Sequence, residues 1–147
     1  MKNELPARIA AMKARGYGPS TVATAIAEAE QQSELLAAAQ QRVTEVASAI
    51  LRGNVGVIEG SRLLCSLQCR VSSLDHDPDF LPFVGIDSET DHLPVGDVRQ
   101  HWVAETLVRK DIEIQEVEAF YRDQAVAGCE RLLARFSFTS DDNARNA

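Results

Sequence analysis

Basic residues, histidines, cysteines and glycine-rich motifs are all scarce in this 147-residue chain, and each shortage narrows what it can do. Fifteen Lys and Arg stand against twenty-two Asp and Glu, a net charge of -7, whereas a protein that coats nucleic acid needs a basic face. No apolar run is long enough to cross a bilayer. The first residues, Met1 to Pro6, carry no apolar stretch behind Lys2 and do not read as a secretory signal. Three cysteines, Cys65, Cys69 and Cys129, are an odd number and make no disulfide framework, which points to a reducing cytoplasm. There is no phosphate-binding loop, dinucleotide glycine fingerprint, nucleophile elbow or paired-histidine zinc helix. The sequence therefore names no catalytic residue, no metal ligand set and no cofactor.

What is present is ordinary globular material, 45% hydrophobic and 25% charged, with proline and glycine confined to a few places. Leu5, Ile9 and Met12 predict a short helix over 4–15, with Asn3 as its cap, ended by Gly16-Tyr17-Gly18-Pro19. Residues 20–52 contain neither glycine nor proline. Val22, Ala29, Leu36, Val43 and Ile50 recur every seven residues, with Ala25, Ala39 and Val46 between them, so a long helix with a coiled-coil-like seam is expected. Such a helix needs a partner along its length, in the same chain or in a homodimer through 20–52. Gly53 suits its C-terminal cap. A third helix is predicted over 55–71 from Val57, Ile58, Leu64, Cys65, Leu67 and Val71. Residues 98–136 hold no proline and one glycine, Gly128, and read as one long helix or two. Trp102, Leu107, Ile114, Val117, Tyr121, Val126, Leu132 and Phe136 are expected to face inward, with Glu105–Arg109 and Glu118–Arg122 as surface ladders.

The expected fold is all-α: a helical bundle in which the helices 20–52 and 98–136 pack roughly antiparallel, with 55–71 between them. Residues 1–19 form a short helix and linker, 20–136 the single domain and 137–147 a flexible tail. Helices of that length are long for one small domain, which favours a homodimer.

Between the helices, residues 72–97 hold Pro78, Pro82 and Pro94 with Gly85 and Gly96, and they are expected to form an ordered irregular loop with an extended stretch at 83–87. Most of the negative charge sits here. Asp75, Asp77, Asp79, Asp87, Glu89, Asp91 and Asp97 crowd into 23 residues. An acidic loop of this kind attracts a basic protein surface or a cation. Asp75-His76-Asp77-Pro78-Asp79 has the alternation of a calcium loop, but the sixth and twelfth positions are Phe80 and Ile86 instead of Gly and Glu. Asp87-Ser88-Glu89-Thr90-Asp91 fails the same way, with His92 and Val98. Cys65 and Cys69 read as core cysteines rather than zinc ligands.

The block Phe83-Val84-Gly85-Ile86-Asp87-Ser88-Glu89-Thr90-Asp91-His92-Leu93-Pro94-Val95-Gly96, followed by Arg99 and Trp102, resembles a block in small uncharacterised acidic bacterial proteins. The resemblance takes in Ile58-Glu59-Gly60 and Cys129 to Phe136, and so roughly residues 50–136. It carries no established activity. Some small acidic bacterial proteins are cognate inhibitors in toxin–immunity pairs, and the resemblance extends to that analogy without assigning a role to any residue.

The expected function is a non-enzymatic protein-binding module, of the immunity, inhibitor or regulatory kind. Asp75, Asp77, Asp79, Asp87, Glu89 and Asp91 would steer a basic partner, and Trp102 or Phe80 would anchor it. The alternative is a metal-dependent or acid–base enzyme that uses the same carboxylates with His76, His92 or His101. In a third reading the acids only cap and turn the loop.

Overall fold

A computed structural model describes the backbone from Glu4 to Arg145 and the side chains from Glu4 to Ser137. Asn3, the expected first cap, lies outside the described residues. All regular structure among the described residues is helical: α1 (Leu5–Ala14), α2 (Pro19–Arg52), α3 (Val57–Val71), α4 (Leu81–Glu89), a 3-10 helix (Gly96–His101) and α5 (Ala104–Arg145). None of these helices is long and apolar enough to cross a membrane.

The chain divides into two compact units, Met1–Ala38 and Ala39–Ala147. In the first, α1 and the start of α2 flank a shallow groove lined by Arg8, Met12, Thr21, Thr24, Ala25 and Glu28. Val22 and Ala25 are buried there. The turn between the two helices closes through Gly16, at φ 82, with the Tyr17 N–H donating to the Met12 carbonyl.

The second unit holds the main core. Val43, Val46, Ala47 and Ile50 of α2 join Val57, Leu64 and Leu67 of α3, Phe83 and Ile86 of α4, and Ala125, Cys129, Leu132 and Phe136 of α5. The seam expected on 20–52 is thus largely buried by the chain's own residues. Gly53, at φ 78, ends α2 as expected: its N–H donates to Ile50 and the Asn54 N–H to Ala49, the paired bonds of a Schellman cap. The closest backbone approaches between helices run among α3, α4 and α5, and the second half of α2 joins them through its buried side chains. Gly60 lets the Ile50 side chain lie on the α3 backbone. Gly128 does the same for the Phe83 ring on α5, where a Cβ would come within 2.7 Å of it.

Two expectations are corrected. The segment 72–97 is no irregular loop with a strand at 83–87, because α4 occupies Leu81–Glu89. Pro82 sits in the first turn, where proline costs no hydrogen bond. Phe83 and Ile86, three residues apart, face inward. The backbone beyond Arg122 does not break into a second helix, and α5 continues as one helix through Arg145, beyond the start of the expected tail at Ser137. Residues 146 and 147 lie outside the described ones.

Candidate functional site

The structure places the acids of residues 75–97 differently from one another. Asp77 is 1% exposed. Its carboxylate accepts from the Ser72 hydroxyl at 2.6 Å, from the Asp79 N–H at 3.0 Å and from Arg135 Nη1 on α5 at 2.7 Å. Burial alone would lift the Asp77 carboxyl. The Ser72, Arg135 and Asp79 donors outweigh it and hold the group below the ordinary carboxylate range. The same Arg135 reaches Asp79 at 3.1 Å and stacks 4.9 Å above the Phe136 ring. This cluster fastens the α3–α4 turn to α5.

A second fastening centres on Arg62 of α3. Its guanidinium donates to the carbonyls of Thr90 and Leu93, the latter at 2.9 Å, and pairs with Asp87 at 3.5 Å. A third fixes the 3-10 helix. Arg99 forms a two-pronged pair with Asp111, at 2.6 and 3.1 Å, and donates to the Pro94 carbonyl at 3.1 Å. The Arg99–Asp111 hydrogen bonds hold the Asp111 carboxyl below its usual range. Arg99 therefore pairs with α5 and not with the neighbouring loop acids. Glu89 accepts from the Tyr121 hydroxyl. His92 meets Glu113 at 3.0 Å and Asp91 at 3.9 Å, and Lys110 meets Glu113 at 2.9 Å.

Asp77, Asp79, Asp87 and Glu89 are thus engaged within the chain, and Asp77 is removed from the surface altogether. Asp75, Asp91 and Asp97 are exposed. Phe80 is fully buried, 6.4 Å from Phe136 between ring centres, so it belongs to the core and cannot anchor a partner. His76 and His101 are exposed, in the turn before α4 and at the end of the 3-10 helix. No group of three or more His, Cys, Asp or Glu side chains among the described residues is placed to hold a metal ion. Cys129 is buried, Cys65 half-buried and Cys69 exposed, so only one of the three is a core residue proper. The thiols of Cys129 and Cys65 are each pushed up to about 11, chiefly by burial, and stay protonated near neutrality.

Sequence reasoning missed a different feature. Six large apolar side chains between Val98 and Phe120 are 38 to 79% exposed: Val98, Trp102, Val103, Val108, Ile112 and Phe120. Trp102, expected to face inward, is therefore among the exposed side chains. The signal was present in the helical phase. Leu107, Ile114, Val117 and Tyr121 mark the half-buried face of α5, and Val108 and Ile112 fall on the opposite side. The expected surface ladders are also absent among the described residues. Glu118 turns instead to α3 and accepts the Ile58 N–H at 3.3 Å, satisfying a free donor at that helix start.

The chain matches no family model, no curated protein and no solved structure. The bacterial resemblance of the 83–102 block therefore assigns no role to any of these residues.

Proposed function

We propose that this protein is a non-enzymatic protein-binding module, acting in a reducing cytoplasm, whose contact surface is the apolar strip from Val98 to Phe120. The observation that carries this reading is the strip itself. Its scaffold leaves no buried side-chain nitrogen or oxygen without a hydrogen bond among the described residues, yet six large apolar groups stand in water along one stretch of chain. Val108 and Ile112 lie one helical turn apart on one face of α5; exposed apolar patches mark interaction sites, and tryptophan is enriched at binding hot spots. The exposed Asp91 and Asp97 border the same stretch of sequence and favour a partner with basic groups beside an apolar face. An inhibitor or regulatory role is suggested by the bacterial resemblance; the surface argues for protein contact alone. The enzyme reading has less behind it, because most of the carboxylates it needs are engaged in holding the fold.

The test is capture of partners from the native cell. A tagged wild-type chain is compared with a Val108→Ser/Ile112→Ser variant whose helicity is unchanged by circular dichroism. A protein enriched by the wild type, lost with this variant and retained by Asp75→Asn is the expected outcome. Equal capture by wild type and strip variant overturns the assignment of the surface.

A further inference from the structure

The outer face of α5 carries a pattern that goes beyond general stickiness. Glu105, Val108, Ile112, Gln115, Ala119 and Arg122 recur at alternating spacings of three and four, and all six are exposed. That is the spacing of a two-stranded helical seam. Arg109 and Glu116 flank it on one side and are also exposed. Neither ladder expected for these charges forms. Glu105, Arg109, Glu116 and Arg122 have no ion-pair partner among the described residues.

The order of these residues is complementary to its own reversal. When a second α5 lies antiparallel, Val108 faces Ala119 of the other copy and Ile112 faces Gln115. In the same register Glu105 faces Arg122, and on the flank Arg109 faces Glu116. Each pairing occurs twice by the two-fold symmetry, as an isologous contact requires. A parallel, in-register pair would set each charge beside its own kind at the ends of the seam.

We infer that the occupant of this face is a second copy of the same chain, in an antiparallel α5–α5 pair held by Val108, Ile112 and Ala119 and oriented by Glu105–Arg122 and Arg109–Glu116. This narrows the binding-module reading, on which it rests, and it places self-association on α5 instead of on the seam of α2, which the chain mostly buries itself. Three apolar residues per copy make a small core, so the dimer is weak and dependent on its ion pairs, and salt loosens it.

Sedimentation of the purified full-length chain over a concentration series tests the inference. The wild type is expected to pass from monomer to dimer. Ile112→Asp, at an exposed position, keeps the fold by circular dichroism and abolishes the dimer. Arg109→Glu and Glu116→Arg, each alone, replace two attractive pairs by two repulsive ones and raise the dissociation constant roughly tenfold or more at low salt. The two single variants mixed together restore opposite charges at both positions and form the heterodimer, and Arg109→Glu/Glu116→Arg in one chain regains the wild-type constant. A wild type that stays monomeric throughout overturns the inference, as do single reversals that leave dimerisation unchanged or a mixture no tighter than its components. If the purified chain is monomeric but captures another protein through Val108 and Ile112, the self-pairing fails while the contact surface stands.

Discussion

The two compact units of this chain are both helical and yet are held by different forces. Up to Ala38 the described residues bury two side chains, Val22 and Ala25, and form no ion pair among themselves. A side-chain hydrogen bond there, from the Thr24 hydroxyl to the Ser20 carbonyl at 3.0 Å, stays within one turn of α2. From Ala39 onward four helices share a continuous core, and three arginines, Arg62, Arg99 and Arg135, tie segments far apart in sequence. Local propensity is enough to make a helix but not to hold it, because isolated helices are marginal in water and gain most of their stability from packing. The contrast predicts two levels of stability within one chain.

The largest expected effect lies in the second unit. Phe83→Ala removes a fully buried ring seated on Gly128 and should cost about 3–5 kcal/mol in a denaturant titration. A loss below 1 kcal/mol would show that the core is looser than its packing indicates, and the contrast between the units would collapse.

Next comes Asp77→Ala, which leaves the Ser72 hydroxyl and the Asp79 N–H without their acceptor and should cost about 1–3 kcal/mol. The same carboxylate sets an acid limit. Its value in the folded chain lies below that of an unfolded aspartate, about 3.9, so its stabilisation is complete above that value and is lost as pH falls through the folded one. Denaturant midpoints of the wild type should therefore fall below about pH 4. The Asp77→Ala chain should lack this part of the decline.

Val22→Ala sharpens the comparison from the other side. It should cost about 1–2 kcal/mol of local stability and speed amide exchange in α1 and the first half of α2. Protection of α3 and α4 should stay as in the wild type. If both units lose protection together, they unfold as one and the division is wrong. The smallest effect is expected at Arg42→Ala, whose pair with Glu45 joins side chains that are both about half exposed, at about 0.2–0.5 kcal/mol by the same titration.

How far the sequence was legible follows from the range of the interactions. The helices at 4–15, 20–52 and 55–71 declared themselves through apolar periodicity and through the glycines that end two of them. α4 did not. Pro82 and Gly85 read as breakers, but Pro82 sits in the first turn, where its missing N–H costs nothing, and Phe83 and Ile86 are held in the core. The acids of 72–97 were conspicuous in sequence, but their partners Arg62, Tyr121 and Arg135 lie 25 or more residues away from them and carry no local mark. Phe80 and Trp102 look alike in sequence as anchors, yet Phe80 is buried and Trp102 exposed.

The sequence by itself determined that the chain is helical, where its first three helices run, and that its charge gathers between α3 and α5, because period, capping and composition act over a few residues. Only the tertiary structure decided that Asp77 is a buried fastening rather than a steering charge, and that Val108 and Ile112 stand outside the core. Burial depends on what arrives from elsewhere in the chain, and a side chain's environment is a property of the assembled fold.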